Sequence, residues 1–356
     1  MVSTRWWIYV LFCTFVAFMS FTAAETPLPV RNADPAHLPS GKLVHYEGNP
    51  LLRNGPEPYD YGKTGPRVVL KMGPGDYRIW YEAVAADGLT TVGYATSSDG
   101  LKWAKKGVVL SPSEPWEKEE ISPNSILLED GIYKLWYHGG GYIRERRRLG
   151  NGRIGYATSK DGLSWVKYQG NPVLDIGPAN AFDSVQAAEP RVFHLPDGYR
   201  MYYTGQDGSQ TSLGMATSPD GVHWTKYAGN PILDKKAWRG FWGGAFFLEN
   251  GIWHLWHGAV ASADSQSTSP HAAIGTSLRY MWSTDGITWK DGPNNPVLLQ
   301  NPDPKSPDHQ LVGDSVSGYR DGETYRIMFS GANSNLFGKL GRFNGICLAT
   351  IRASKK

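Results

Sequence analysis

Asp60, Glu119, Glu120, Asp183, Glu189, Asp308 and Asp314 are carboxylates that stand at or just before short apolar segments. Two carboxyl groups facing each other across a gap can cleave a glycosidic bond. One protonates the leaving oxygen while the other activates water or attacks. Glu189 is the sharpest of the set. It lies in Ala187-Ala-Glu-Pro-Arg191, where an ionised carboxylate is costly to desolvate. Such surroundings raise a carboxyl pKa and suit a general acid. An ion pair with Arg191 is the structural alternative, and it would lower that pKa. Alternate residues of a strand face the same way, so Glu189 and Arg191 could also reach a substrate together. The base must come from another part of the chain, and Asp60 and Asp314 are the candidates. Asp60 and Asp183 precede a proline by six and seven residues (Pro66, Pro190). That recurrence suits a structural part of a repeat as well as a substrate contact. Glu120 completes the candidates.

A repeat positions these residues. Thr96-Ser-Ser-Asp-Gly-Leu-Lys-Trp103 returns as Thr158-Ser-Lys-Asp-Gly-Leu-Ser-Trp165, Thr217-Ser-Pro-Asp-Gly-Val-His-Trp224 and Ser283-Thr-Asp-Gly-Ile-Thr-Trp289. Asp99, Asp161, Asp220 and Asp285 are spaced by 62, 59 and 65 residues. A strand-like period of about sixty is a propeller signature. The glycine of each Asp-Gly supplies the positive φ of a tight hairpin, and each Trp is expected to pack between blades. Val44-His-Tyr-Glu-Gly-Asn-Pro-Leu-Leu52 matches the tail of a repeat, Val166-Lys-Tyr-Gln-Gly-Asn-Pro-Val-Leu174, while Gly345-Ile-Cys-Leu-Ala-Thr350 matches the middle of one. The sequence therefore predicts an all-β five-bladed β-propeller over residues 43–356. Its blades are four-stranded, and the N-terminal strand completes the last blade, which hides the open edges.

In a propeller the first strand of each blade lines the central channel. These strands are expected near Gly65–Leu70, Ile121–Leu128, Ala187–Phe193, Gly243–Leu248 and Gly313–Ser317, so the candidate carboxylates converge on one funnel. Blade 4 offers Trp242-Gly-Gly instead of a carboxylate. Arg67 and Arg191, each following a proline, could hold sugar hydroxyls or phosphate. Trp80, Trp136, His138 and His257 are candidates for a subsite floor, with interblade packing as the alternative.

Residues 1–24 read as a signal peptide: Arg5, an apolar run from Trp6 to Phe18, and Thr22-Ala-Ala24 as the cleavage site. The run is short for a spanning helix of about twenty residues. A secreted or periplasmic protein, free of the membrane after cleavage, is expected. Residues 25–42 form a proline-rich extended lead-in. Cys13 leaves with the leader and Cys347 then has no partner, so no internal disulfide is expected. A net charge of +3 makes no case for nucleic acid. Arg144 to Arg148 reads as a solvated hairpin tip and Ala261 to Ser277 as a long loop over one face. Fourteen Trp and nineteen Tyr suit a site that stacks sugar faces. No cofactor is required. A structural calcium in the channel would need several oxygen ligands, and no spacing points to them. A monomer is expected.

These motifs resemble the five-bladed propeller glycosidases, the group that holds family 43 arabinanases and β-xylosidases, invertases and β-mannoside phosphorylases. The Ser-x-Asp-Gly-x-x-Trp and Asn-Pro-Val-Leu repeats and second strands such as Tyr199-Arg-Met-Tyr-Tyr203 carry the resemblance. Ala188-Glu189-Pro-Arg191 looks like the third-blade Glu-Gly-Pro acid motif of arabinanases and the Glu-Asp-Pro-Arg segment of the phosphorylases, which implies an acid at Glu189. The arabinanase pattern implies a blade-1 Asp as base, with Asp60 the nearest match. Two departures stand out. The second-blade Ala-Pro-Asp of arabinanases is here Ser122-Pro-Asn124, and the invertase Trp-x-Asn-Asp-Pro-Asn-Gly start is absent.

The expectation is a secreted glycoside hydrolase acting on a poly- or oligosaccharide with a carboxylate acid/base pair and inversion. The alternatives are a glycoside phosphorylase and a propeller that binds carbohydrate or protein without turnover. Fold alone does not choose among them.

Overall fold

A computed structural model of the chain describes residues 38–140, 142–143, 148–233, 243–259, 277–332 and 344–353. Five antiparallel blades follow one another. Blade 1 comprises Lys63–Gly73, Asp76–Val84, Thr90–Ser97 and Ala104–Leu110. Blade 2 comprises Ile121–Glu129, Ile132–Gly139, Arg153–Ser159 and Val166–Lys167. Blade 3 comprises Gln186–Leu195, Gly198–Gln206, Thr211–Ser218 and Thr225–Lys226. Blade 4 comprises Ala245–Glu249, Ile252–Ala259, Ser277–Ser283 and Lys290–Asp291, with Leu298–Leu299 added to its third strand. Blade 5 comprises Gln310–Asp321, Thr324–Ala332 and Gly345–Arg352, and its outer strand is Val44–His45 from the other end of the chain. The fold is a five-bladed propeller closed by its N-terminal strand, as the repeats predict. The leader, residues 25–37 of the lead-in, Arg144 to Arg147 and residues 261–276 lie outside the described residues.

The second strands explain why blades pack into a ring. Each carries aromatic side chains too large for one sheet to cover, and they are buried against the next blade. Trp80 packs on Tyr94 and Tyr133, and Trp136 on Tyr156 and Tyr199. Five apolar clusters result, one between each pair of neighbouring blades. The Trp of each repeat motif (Trp103, Trp165, Trp224, Trp289) packs half-buried against one of these clusters, on the blade-to-blade seam expected of it.

The Asp-Gly motifs turn out to be joints between blades. In the first, the Ser97 hydroxyl accepts from the Asp99 and Gly100 amides while Asp99 Oδ1 accepts from Leu101 and Lys102. The turn's glycine carbonyl then accepts from an aromatic side chain of the preceding blade. Trp80 Nε1 donates to Gly162 O at 2.7 Å, Trp136 Nε1 to Gly221 O at 2.7 Å, and the Tyr202 hydroxyl to Gly286 O at 2.9 Å. The Asn-Pro elements are edge clamps. Asn171, Asn230 and Asn295 each use both ends of the amide on the backbone of one third-strand residue. Asn49 does the same to Leu348, which places the N-terminal segment in blade 5 as a full repeat tail.

The closing blade differs from the others in one titratable part. Blades 1, 2 and 3 tie the outer strand inward through a lysine on a buried carboxylate: Lys105–Asp60, Lys167–Glu117 and Lys226–Asp183. Blade 5 uses His45, whose Nδ1 lies 2.7 Å from Asp308 Oδ2 and whose Nε2 lies 2.9 Å from Leu299 O. Burial opposes protonation of His45, but the bonds to Asp308 and to the Leu299 carbonyl outweigh it and raise its pKa above 6.5. A raised folded-state pKa gives stability that is fully present below the unfolded pKa and fades as pH rises through the folded one. Asp308 works in the other direction. Burial pushes it up, but bonds from His45, Ser306 and Asn49 hold it at about 2, so its contribution is lost only in acid. Amide exchange along Gly345–Arg352 is therefore expected to quicken, beyond its intrinsic pH dependence, as pH rises above the ordinary histidine value of 6.5 and through the raised one, and His45→Lys should remove that excess. An equal excess in the lysine variant would refute the latch.

Candidate functional site

Innermost strands of neighbouring blades pack on one another around the axis. Those of blades 1, 2, 3 and 5 each carry a β-bulge near the start, between Gly65 and Val68, Pro123 and Ser125, Ala188 and Arg191, and Val312 and Ser317. A bulge adds residues to one strand and re-aims the side chains it contains. Glu189 sits in the third of these with φ +54°, a left-handed conformation that non-glycine residues rarely adopt. Strain of this kind persists where surrounding contacts over-determine it.

Those contacts come from the neighbouring blades. Arg67 Nη1 donates to Glu189 Oε2 at 2.6 Å, and Asn124 Nδ2 donates to the same oxygen at 2.7 Å. Asn124 Oδ1 accepts the His138 backbone N–H at 3.1 Å, which fixes the amide with its donor towards Glu189. His138 Nδ1 stands 4.0 Å from Glu189 Oε1, and neither ring nitrogen makes a hydrogen bond among the described residues. From blade 4, Gly243 closes over the carboxylate. It has φ +59°, and a Cβ there would lie 3.3 Å from Oε2. The glycine that replaces a carboxylate in blade 4 thus leaves room for the one in blade 3.

Arg67 is shared. Its Nη2 pairs with Glu82, which also bonds Lys63 at 3.0 Å and Ser122 at 3.1 Å. Burial alone would raise the Glu82 pKa, but Arg67 and Lys63 outweigh it and hold the carboxyl well below its ordinary range. Lys63 Nζ further donates to Ser315 of blade 5. Glu120 stands at the head of the blade-2 inner strand. Its Oε2 is enclosed yet has no hydrogen-bond partner among the described residues. Burial, and the nearby charges of Glu82 and Glu189, raise its pKa, against opposing contributions from His138 and Arg67.

Sequence reasoning missed Glu82, Lys63, Ser122 and Ser315. A signal for Glu82 was present. On each second strand the residue after the aromatic or apolar pair is Glu82, His138, Thr204, His257 or Ser330, all buried, a polar break at one fixed repeat position.

Several expectations are corrected. Arg191 is buried. Its guanidinium donates to the carbonyls of Asn124 (2.7 Å), Gly244 (3.0 Å), Pro190 (3.2 Å) and Val316 (3.2 Å), tying blades 2 to 5 together. Burial lowers its pKa to about 10. Nor does Arg191 pair with Glu189, because the bulge breaks the alternation that would have put them on one face. Arg67 and Arg191 both follow proline, but Arg67 lies inside its bulge and Arg191 just beyond its own, opposite Tyr202. Asp60 is wholly buried between the Tyr81 hydroxyl at 3.1 Å and Lys105 at 2.5 Å. Asp183 repeats this with Tyr203 at 2.9 Å and Lys226 at 2.6 Å. Both are structural carboxylates of the outer-strand tie, and their recurrence was the sign. Trp80 and Trp136 are fully buried joints between blades, not a subsite floor. His257 bonds the Gly258 carbonyl through Nδ1, and burial lowers its pKa to about 4. The Asp314 side chain lies outside the described residues. The apolar surroundings expected of Glu189 are absent, since two donors hold it. Among the described residues no group of three or more His, Cys, Asp or Glu is placed to hold a metal ion.

Known proteins agree with this architecture. The sequence model of the Glycosyl hydrolases family 32 N-terminal domain matches residues 70–236, just under half of the chain. A solved structure from the family 130 mannoside phosphorylases, a family that contains glycoside hydrolases targeting β-1,2 mannosidic linkages in Candida mannan, superposes with a TM-score of 0.61. It covers 89% of this chain and 97% of that one at 14% identity, which is a likeness of fold. The chain has the propeller fold of the glycoside hydrolases. Among curated proteins, an uncharacterized protein of Mycobacterium tuberculosis is 28% identical over 150 residues, 40% of this chain and 46% of its own length. The acid β-fructofuranosidase of Solanum lycopersicum is 28% identical over 153 residues, 41% of this chain and 22% of the plant enzyme. The chain thus spans less than half the length of either relative. The family-model match takes in Glu82, Glu120, Asn124, His138 and Glu189, while Lys63 and Arg67 lie before it.

Proposed function

We propose that the chain is a glycoside hydrolase whose site is the buried group of Glu82, Glu120 and Glu189 with Arg67, Asn124 and His138. The observation that carries this reading is the gathering of three carboxyl groups from three blades around Arg67. One is held by two donors, one by Lys63 and Arg67, and one has a free oxygen. Burying this much charge is a poor way to stabilise a fold, and perturbed carboxyls gathered at one place mark candidate sites. The match to the family 32 domain and the likeness to the plant β-fructofuranosidase support the reaction class. Its substrate is a carbohydrate, and inversion is the stereochemistry implied by the arabinanase likeness.

Hydrolysis is preferred to phosphorolysis for a physical reason. A phosphate would want an open guanidinium fork, but Arg191 is spent on backbone carbonyls and Arg67 bridges two carboxylates. The test is reducing-sugar release from fructan, arabinan, xylan, galactan and mannan oligosaccharides, with and without phosphate, alongside Glu189→Gln. Release that is indifferent to phosphate and lost in the variant is the expected result, with proton NMR of the first-formed anomer reporting stereochemistry. Sugar binding without release from any of them would replace the enzyme reading by a binding propeller.

A further inference from the structure

Within this reading of the site, we infer that Glu120, not Glu189, is the proton donor to the leaving oxygen, and that Glu189 is the carboxylate that activates water. The third-blade motif alone would make the opposite assignment. Three observations carry the reversal. Glu189 Oε2 already accepts from a guanidinium and an amide, and Asn124 is locked in the orientation that donates. Both bonds occupy that oxygen as an acceptor, which opposes its serving as a donor to substrate. Glu120 is the converse. Its Oε2 is enclosed with no donor against it among the described residues, while the residue as a whole is only half-buried. The groups that face it divide in sign: Glu82 and Glu189 favour its proton, while His138 and Arg67 oppose it.

In the step itself Glu120 gives its proton to the glycosidic oxygen as the bond from that oxygen to the anomeric carbon breaks. A water bonds to the anomeric carbon and passes a proton to Glu189. The products are the freed alcohol and the hemiacetal, and exchange with solvent returns a proton to Glu120 and removes the one on Glu189. The net reaction is the addition of one water across the glycosidic bond.

The test exploits leaving groups. A glycosyl fluoride needs little proton assistance, whereas an alkyl glycoside depends on it. Glu120→Gln is expected to lower kcat/KM on the oligosaccharide by about 10²–10⁴ while leaving the matching glycosyl fluoride within about tenfold of wild type. Glu189→Gln should depress both. Equal losses on both substrates in Glu120→Gln, or the leaving-group pattern appearing in Glu189→Gln instead, would overturn the assignment. A second readout does not need turnover. An infrared band of a protonated carboxyl should be present near pH 6 in the wild-type protein and missing in Glu120→Gln. If that band is absent from the wild type, or survives the substitution, Glu120 is not the proton carrier. Wild-type protein that cleaves no glycoside but shows the band would sink the hydrolase reading alone.

Discussion

Arg67→Met should destabilise the protein by about 3–5 kcal/mol near neutral pH, the range for stripping one partner from a buried ion pair. Arg67 is the only link in the cluster that touches both Glu82 and Glu189 among the described bonds. Without it, Glu189 keeps the Asn124 amide and Glu82 keeps Lys63 and Ser122, but two carboxylates lose their shared counter-charge. The loss has a signed pH dependence. Glu82 has a folded-state pKa below its ordinary 4.5, so its contribution is present above that value and lost as pH falls through the folded pKa. The gap between variant and wild type is therefore widest above about pH 5 and narrows in acid. Adding Glu189→Gln to Arg67→Met should recover part of the loss, since Glu189 is the carboxylate that Arg67→Met leaves with only a neutral amide bonded to it. Urea unfolding of the three proteins at pH 7 and pH 4 measures all of this. A gap that does not change with pH would mean that Arg67 acts through packing rather than charge.

Arg191→Lys is expected to cost about 2–4 kcal/mol, although it keeps the positive charge. The planar fork reaches carbonyls of blades 2, 4 and 5 at once, each a charge-assisted bond, and an ammonium cannot reproduce those directions. Burial already lowers the Arg191 pKa to about 10. A lysine in the same place would be pushed towards its neutral form, which removes the charge as well. The result to look for is a fall in unfolding free energy with KM on any substrate little changed. A raised KM in a protein of wild-type stability would return Arg191 to the ligand-binding role that its position two residues after Glu189 suggests.

Much of the architecture was legible because it is written repeatedly. The Asp-Gly turns, the repeat Trps and the Asn-Pro clamps each recur, and a part that recurs is identifiable even where one copy is weak. The N-terminal segment is the clearest instance. Val44 to Leu52 could be matched to Val166 to Leu174 before any strand was paired, and Asn49 then clamps Leu348 as its counterparts clamp theirs. The same logic, pressed further, would have moved Asp60 and Asp183 to the structural side, since each recurs with a tyrosine and a lysine at fixed repeat positions.

What depends on departures from the repeat needed the tertiary structure. Sequence alone singled out Glu189, Arg67 and Asn124 on innermost strands, Glu120 just before one and His138 on a second strand, because polar residues there stand out against an apolar pattern. It could not say which of two Pro-Arg pairs faces the site. A bulge shifts Arg67 and Arg191 by one residue relative to each other, and in a strand one residue reverses the face. Nor could it pair Arg67 with Glu82 and Glu189, which lie 15 and 122 positions away. The periodicity of the chain determined the ring and which residues look inward. Only the packed ring, by setting the carboxyls of Glu82 and Glu189 on one guanidinium and leaving Glu120 Oε2 without a hydrogen bond among the described residues, decided which of them are held.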